Sequence, residues 1–416
     1  MTSLINGLPF PKLYLEILSN TSTNFGPIDA RSNTGANAKA KAVIHDASSV
    51  GFSQYSRFPS TMFFTIPQDS VHQAGLIAGL DHVRLWYANP RTDYGPVLVF
   101  NGRLGDPSSS GTDVVWTAWS YLAELALSRT GYEVMYKNKR LGDIVTQEWS
   151  GTQSPATGTA KYPRSGDSGY GAKTQEHSLL SHVATGTIQT PVNSAASHDV
   201  KTDAQFGVID VPRLLLFFDL TEMGRANTTQ NVIMRVTRSL TPTFDFLKNA
   251  GTALTAPRLM FPGNIADYRY APGVMSIRND LATIGTKGSK ATEIVKRIES
   301  GTYGSAAFGR RQDTFPIKTL AGYGNINDEA TGKYKAQQQV TDAAVKQASQ
   351  LTKQLVVDIM PGEFEPFDGY DIEDTVRVQI KRGRDDINQV MRIVGIRGRM
   401  GAAGYDQSLI LALPTT

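Results

Sequence analysis

The stretch from residue 375 to the C-terminus constrains the fold of this chain most. Valine and isoleucine alternate with arginine, glutamine and lysine at residues 376–381, and two more apolar runs follow at 390–396 and 408–413. Turns rich in glycine and aspartate separate the runs. Alternation with a period of two places one face of a strand in a core and the other in water. The sequence therefore predicts a terminal β-meander of the kind found in assembly barrels.

Length and composition indicate a folded protein with more than one core. The chain has 416 residues, 40% of them hydrophobic and 19% charged, so we expect two to four domains. No apolar run reaches membrane-spanning length, and the N-terminus lacks the basic start of a secretory signal. The absence of cysteine excludes disulfides and thiolate metal sites. A net charge of +4 spread over the whole chain is a weak argument for nucleic-acid binding.

Residues 1–130 predict an N-terminal β-barrel domain. Short apolar or alternating runs occur at closely spaced positions, and a loop with proline, aspartate and glycine joins two of them as a hairpin. Helix-forming residues follow at 121–127. The predicted strands of this domain are 13–18, 42–46, 62–67, 83–87, 97–102 and 114–119.

Residues 131–250 predict a mixed insertion. A helix over 139–149 would carry its apolar side chains on one face, at Leu141, Ile144, Val145 and Trp149. Residues 150–206 are rich in small polar residues and predict an extended arm. The apolar residues of 208–220 indicate a strand, and 243–250 indicate a short helix ended by Gly251.

Residues 251–416 predict a second β-barrel domain that contains a long helix. Strands are expected at 259–263, 266–270, 274–279 and 356–359, with the terminal meander after them. A helix is expected at 289–300, capped by Ser289. The long helix, at 334–355, has apolar residues at helical spacings: Val340, Ala344, Ala348, Leu351 and Leu355.

Residue patterns that carry chemistry are scarce. The six histidines show no zinc-helix spacing, and no nucleophile elbow occurs. The segment 285–290 departs from the spacing of a phosphate loop. We therefore predict no catalytic residue, no metal ligand and no cofactor. Three acidic pairs are typical of solvated loops, although calcium binding by one of them stays open. They are Asp219 with Glu222, Glu363 with Glu365, and Asp371 with Asp374.

Two groups of residues are candidates for an assembly interface. Arg377, Gln379 and Lys381 form the polar face of the first meander strand, which lacks the interleaved aromatic residues of a nucleic-acid platform. We expect this face to contact a neighbouring subunit. Trp86 and Trp149 are expected to be core or interface anchors rather than sugar-stacking residues.

Three segments resemble the tail hub proteins of long-tailed, double-stranded DNA bacteriophages. FNGRL, at 100–104, precedes a strand and a short helix, as in the hub pattern Phe-x-Gly-x-Leu. IADYRYAPGVMSIRN, at 265–279, resembles the hub segment that ends in asparagine. The ending GYDIEDTVRVQI, with MRIVGIRGRM after it, resembles the Gly-Asp-x-Val-x-Val pattern of hubs and related minor tail proteins. This chain has Glu373 where that pattern has glycine, so the match is partial.

The resemblance implies a structural virion protein at the distal end of a phage tail, made in the host cytoplasm. Such hubs are homotrimers in which each subunit contributes two barrels, here 1–130 and 251–416. The trimer adapts the six-fold tube to a three-fold tip, closes the tube and opens for genome ejection, with no enzymatic turnover. Its implied partners are the distal tail protein ring, the tape measure protein, downstream tail-tip or fibre proteins, and phage DNA passing through the lumen.

Other classes remain open from the sequence. A hexameric distal tail protein, one ring above the hub, has one barrel per subunit. A receptor-binding or glycan-binding tip module would expose Trp86 or Trp149. A cell-wall hydrolase fused to a hub would need a catalytic domain, and no segment of ordinary domain size is left for one.

Overall fold

The structure is a computed structural model that describes most of the chain. The described residues are 11–18, 40–44, 47–56, 58–128, 134–136, 139–150, 182–193, 198–201, 206–208, 212–227, 230–255, 258–271, 280–287, 291–299, 312–316, 354–360, 364–402 and 404–413.

The N-terminal region is built from strands and two short 3-10 helices. The strands are β1 (Lys12–Leu18), β2 (Ala40–Ile44), β3 (Ser49–Tyr55), β4 (Thr61–Pro67), β5 (His82–Asn89), β6 (Tyr94–Ser110) and β7 (Asp113–Ser120). The 3-10 helices cover Gln73–Gly75 and Tyr121–Ala126.

The insertion mixes helices and strands. Its elements, in chain order, are β8 (Val134–Tyr136), α1 (Leu141–Ser150), β9 (Ala184–Ile188), β10 (Val192–Asn193), β11 (His198–Asp199), β12 (Phe206–Val208), α2 (Arg213–Asn227), β13 (Ile233–Val236) and β14 (Thr243–Leu247).

The described part of the C-terminal region contains strands. They are β15 (Leu259–Phe261), β16 (Ile265–Ala271), β17 (Asp280–Lys287), β18 (Ala291–Glu299), β19 (Gln312–Pro316), β20 (Gln354–Ile359), β21 (Thr375–Arg382), β22 (Asp385–Gly401) and β23 (Gly404–Ala412). β17, β18 and β19 form a separate three-stranded sheet.

Thirteen strands from both ends of the chain form one sheet. Its order is β16-β20-β23-β22-β3-β4-β7-β6-β5-β1-β2, with β21 paired to β22 and β15 paired to β21. One hydrophobic core contains side chains from both ends, among them Leu15, Phe64, Val378 and Leu411, each fully buried. The mainly β class is confirmed.

The C-terminal strands follow a ring-like order. β15, β21, β22, β23, β20 and β16 are neighbours in that sequence, and β15 continues into β16 after a turn of residues 262–264. The turn brings β15 and β16, the two ends of this strand order, into contact without pairing them. A strand order that curls back in this way can enclose a core between the strands.

β22 joins the two ends of the chain. Its first half pairs with β21, and its second half, after an irregularity at Ile393, pairs with β3. Gly398 lies at this junction, where an added Cβ would come within 2.4 Å of the Phe52 ring and 2.6 Å of the Tyr405 hydroxyl. Only glycine leaves room for β3 and β22 to approach in this way.

The insertion has its own core and docks through its β13–β14 turn. Trp149, Phe217 and Phe244 are buried in that core together with side chains of the 3-10 helix Tyr121–Ala126. β9, β13 and β14 form a three-stranded mixed sheet beside α1 and α2. The α+β insertion is thus confirmed, while the domain limits at 130 and 250 stay predictions.

Side chains of the main sheet hold the turn of the insertion. Arg84 donates a hydrogen bond to the Leu240 carbonyl (2.9 Å), and the Asn101 amide donates to the Thr237 and Ser239 carbonyls (3.2 Å each). These contacts connect β5 and β6 to the insertion and fix its position against the sheet.

Most predicted strands are present, as is the helix over 139–149, which is α1 with all four apolar side chains fully buried. Three other predictions are wrong. Residues 213–220 belong to α2 instead of a strand, 243–247 form β14 instead of a helix, and 291–299 form β18 instead of a helix.

Several predictions fall outside the described residues. They include the strand at 274–279 and nearly all of the helix at 334–355, whose last two positions belong to β20. The predicted arm at 150–206 is described only in part, and its residues 184–188 form β9 within the insertion sheet.

Candidate assembly surface

The predicted contact strand presents its polar residues outward. Arg377 and Lys381 are exposed on β21 and Gln379 is half-buried, while the apolar side chains between them are buried in the core. The period-two reading of this strand is therefore confirmed. Whether the face contacts a neighbour stays a prediction.

The neighbouring strand completes this face. In the antiparallel register, Arg377 lies opposite Val390 and Lys381 lies opposite Asp386. The Arg377 guanidinium donates two hydrogen bonds to Oδ1 of Asn388, at 3.1 and 2.9 Å. Because Asn388 is neutral, it orients the guanidinium without cancelling its charge.

Two exposed apolar side chains lie among these charges. Val390 is 47% exposed, and Met260, which pairs with Gln379 across β15 and β21, is 43% exposed. Methionine and arginine are enriched at the centre of protein–protein interfaces, whereas lysine and acidic residues are depleted there. Met260 and Arg377 therefore fit the centre of a contact surface, and Lys381 and Asp386 fit its polar rim.

The β21–β22 turn adds two more cations and brings aromatic rings beside them. The Arg382 guanidinium lies 5.2 Å from the centroid of the Phe261 ring, and the Tyr268 hydroxyl donates a hydrogen bond to Asp385 (3.0 Å). These rings lie beside Arg382, on the side of β21 that carries the buried Ile380, and not beside the outward-facing Arg377 and Lys381. We name Arg377 and Lys381, together with Arg382 and Arg384 at the adjoining turn, the basic face.

Trp86 is mostly buried within the protein. Its ring stacks on Tyr14 at a centroid distance of 6.2 Å, and its Nε1 donates a hydrogen bond to Glu16 (3.2 Å). Only 8% of the residue is exposed. Trp86 therefore anchors β5 to β1 and offers little area to a partner.

Trp149 lies in the core of the insertion. It is fully buried, its ring stacks on Phe244 at 4.2 Å, and its Nε1 donates to the Thr185 hydroxyl (3.0 Å). Of the two readings of this residue in the sequence, core and interface anchor, the geometry favours the core. The structure therefore does not bring Trp86 and Trp149 together with the polar face of β21.

Glu365, Asp371 and Asp374 accept hydrogen bonds from the protein, whereas Glu363, the partner of Glu365 in the sequence pair, lies outside the described residues. Glu365 is buried and accepts from the Tyr87 hydroxyl, the Asn89 amide and the Thr92 hydroxyl. Asp374 accepts from the backbone N–H of Thr252 at 2.6 Å. Oxygens engaged in this way tie loops to the barrel, which is a structural role.

Asp371 extends this role to the insertion. Its Oδ1 accepts a 2.7 Å hydrogen bond from Arg238, whose guanidinium also lies 3.4 Å from the centroid of the Phe367 ring. The same arginine donates to the Leu98 carbonyl on β6 (3.3 Å). Arg238 thus connects the insertion, the main sheet and the loop before β21.

Glu373 occupies the position where the hub pattern has glycine. Its φ is +78°, a left-handed conformation that glycine adopts freely and other residues adopt at a cost. The carboxylate is buried between Arg225 of α2 (3.8 Å) and Arg392 of β22 (3.6 Å), and it accepts from Asn231 at 2.6 Å. These contacts hold a strained backbone in place and join the insertion to the barrel.

A histidine cluster, which the sequence spacing could not reveal, lies between the main sheet and the insertion. The rings of His82 and His182 are 5.1 Å apart, and His82 Nδ1 is 3.0 Å from the Tyr121 hydroxyl. His182 lies 3.2 Å from Glu124, which also accepts a 2.9 Å hydrogen bond from Arg103. Burial, reinforced by Arg103 and His182, lowers the pKa of His82 to about 3.

We expect this cluster to make the protein acid-sensitive. Because the pKa of His82 is lower in the folded state than the ordinary value of 6.5, the unfolded chain takes up more protons. The contribution of His82 to the free energy of unfolding therefore has its full value above pH 6.5. It decreases as the pH falls towards 3, by up to about 1.4 kcal/mol per pH unit. Burial alone would raise the pKa of Glu124, but its contacts with His182 and Arg103 outweigh burial and lower it, so its contribution to stability is also lost as the pH falls below about 4.5.

Urea unfolding midpoints measured from pH 7 to pH 4.5 check this expectation. His82→Gln removes the titrating group and should flatten the slope, whatever its effect on stability at pH 7. His198→Gln, at an exposed histidine, is the control and should leave the slope unchanged. Equal slopes in the wild-type protein and His82→Gln would exclude His82 as the source.

The described residues contain no group of three or more histidine, cysteine, aspartate or glutamate residues placed to hold a metal ion. None of their helices combines the length and the apolar character needed to cross a lipid bilayer.

Comparison with solved structures gives the relationship of this fold. No protein-family model matches the sequence, and no curated protein matches it significantly. The 43 kDa tail protein of prophage MuSo2 from Shewanella oneidensis superposes with a TM-score of 0.50 at 11% identity, over 97% of this chain and 98% of that one. The chain has a phage tail-protein fold. This confirms, at the level of the fold, the resemblance that the sequence segments indicate.

The tail-protein fold also occurs in a larger chain of a second system. A chain of the lidded Francisella PdpA–VgrG complex superposes with a TM-score of 0.51 at 8% identity. The match covers 99% of this chain but 55% of the other, so this chain spans about half of that protein's length.

Proposed function

We propose that this protein is the hub of a phage tail tip. It assembles as a homotrimer at the distal end of the tail, closes the tube, adapts its six-fold symmetry to a three-fold tip, and opens for genome ejection. It sits below the distal tail protein ring, receives the tape measure protein, and carries downstream tail-tip or fibre proteins. Phage DNA contacts its lumen in passing. The role is structural and includes no catalytic step.

The way in which β22 joins the two ends of the chain carries this proposal. One group of strands runs from β1 to β7, and another consists of β15, β16 and β20 to β23. β22 pairs with β21 at one end and with β3 at the other. Two strand groups per subunit, fused through one strand and one core, would give six groups around the axis of a trimer. That number matches a six-fold tube, whereas a hexameric ring needs one group per subunit.

The face of β21 is the proposed contact between subunits. We expect Arg377→Glu combined with Lys381→Glu to convert trimers to monomers, with a dissociation constant raised at least about 100-fold. The reversal places like charges across the contact between subunits, and like-charge contacts cost several kcal/mol. Light scattering after size-exclusion chromatography measures the mass of the assembly.

A control variant with the same change in net charge separates a specific contact from general charge. Lys201→Glu combined with Lys248→Glu, both in the insertion and outside the basic face, should leave the trimer intact. Trimers that survive the Arg377 and Lys381 reversal would remove this face from the proposal.

A further inference from the structure

A second charged surface lies on the N-terminal strands. Asp113 begins β7 directly after the β6–β7 turn, and Asp106 lies in β6 four residues before that strand ends. The loop that carries Asp69 is held to the turn by a hydrogen bond from the Gln68 N–H to the Thr112 carbonyl (2.8 Å). Asp69 and Asp106 are exposed and Asp113 is half-buried. We name Asp69, Asp106 and Asp113 the acidic end.

No cation of the same segments offsets this charge. The sequence has neither lysine nor arginine at 58–81 or at 104–128. Among the residues that the structure describes, none of the three aspartates forms an ion pair. Val71, 87% exposed, lies in the same loop and gives the surface an apolar element.

The basic face has the opposite charge. Residues 375–386 contain four cations and two aspartates, a net charge of +2. Arg382 approaches Asp267 at 3.9 Å, but both side chains are more than 60% exposed, so the charge of Arg382 is only weakly compensated. The apolar Val390 and Met260 lie on this face as Val71 lies on the other.

The two surfaces lie towards opposite ends of the strands. β22 begins at Asp385, beside the basic turn, and its far end pairs Met400 with Val50 of β3. From there the register passes across β4 to β7, whose first residue, Asp113, lies beyond that end. A strand of 17 residues spans about 55 Å, so the two surfaces do not meet within one chain.

We infer that the acidic end of one copy docks on the basic face of the next copy, head to tail. Complementary charges at opposite ends of a molecule favour this contact between copies and disfavour head-to-head pairing. Repeated contacts of this kind close into a ring when the rotation between copies permits it. The inference rests on the proposed function, in which the basic face contacts a neighbouring subunit, and it names the partner surface.

Charge swapping tests the inference in the full-length chain. Asp106→Lys with Asp113→Lys should raise the dissociation constant of the assembly at least about 100-fold, as we expect for Arg377→Glu with Lys381→Glu. A chain that carries all four substitutions restores opposite charges at every contact and should assemble again. Lys201→Glu with Lys248→Glu serves as the control, and thermal melting checks that each variant is folded.

The outcomes separate this inference from the proposed function. Restored assembly of the chain with all four substitutions supports the head-to-tail contact, whatever the number of copies. The inference is overturned if the folded acidic-end variant still assembles, or if the chain with all four substitutions stays monomeric. Either result remains compatible with a trimeric hub. Charge-dependent assembly with a copy number other than three supports the inference and counts against the hub. A wild-type chain that stays monomeric at every concentration up to about 100 µM overturns both.

Discussion

Replacing Glu373 with alanine lowers the free energy of unfolding by about 3–5 kcal/mol, the usual cost of removing one partner of a buried ion pair. The carboxylate lies between Arg225 and Arg392, and it is almost fully buried. Its removal leaves two guanidinium groups in a site of low polarity without the anion between them. Because the contacts join α2 to β22, we expect the insertion and the barrel to lose their connection first.

Chemical denaturation of the alanine variant measures the loss. Glu373→Gly loses the same contacts but relieves the left-handed backbone, so it should be about 1 kcal/mol more stable than Glu373→Ala. Asp406→Ala, at an exposed position of β23, should change stability by less than about 0.5 kcal/mol. An alanine variant as stable as the wild type would mean that the buried network contributes nothing.

Trp149→Ala should also cost about 3–5 kcal/mol, because it leaves a large cavity in the core of the insertion. The fully buried ring stacks on Phe244 and donates to the Thr185 hydroxyl. We expect the loss to appear as a lower thermal midpoint, with subunit association unchanged in conditions where the variant is folded.

An exposed tryptophan provides the comparison for Trp149. Trp119 on β7 is 51% exposed, so Trp119→Ala should change stability little. If Trp149→Ala instead weakened association at unchanged stability, the residue would act at an interface, and its placement in the core would be contradicted.

Strands with a strict period of two were predictable from sequence. On β21, Val376, Val378 and Ile380 are buried and the residues between them point outward, so a single pattern determined both the strand and its faces. The helix α1 was predictable for the corresponding reason, because Leu141, Ile144, Val145 and Trp149 recur at helical spacing and are all buried.

Elements that are buried on several sides were not predictable in this way. The run at 214–218 is apolar at every position, and such a run suits a buried strand and a buried helix equally. In β14, Phe244 and Phe246 alternate inward, a strand signal that helix-forming neighbours obscured. β18 gains its conformation by pairing with β17, a tertiary contact that outweighs local propensity.

The candidate surface was predictable only where it follows one strand. Arg377, Gln379 and Lys381 share a face because they alternate in sequence. Phe261 and Tyr268 reach the same region because β15 and β16 lie at the two ends of the ring-like strand order, more than 100 residues away in the chain. The pairing of Glu373 with Arg225 and Arg392 depends on the docking of the insertion and has no signal in sequence spacing.

The symmetry of the assembled protein decides whether this chain is a tail hub. Electron cryo-microscopy of the purified assembly, supported by a light-scattering mass, measures it without labels or variants. We predict a three-fold ring in which each subunit contributes two strand groups, giving six around a central pore. A six-fold ring with one group per subunit, or a chain that remains monomeric, would contradict the proposed function.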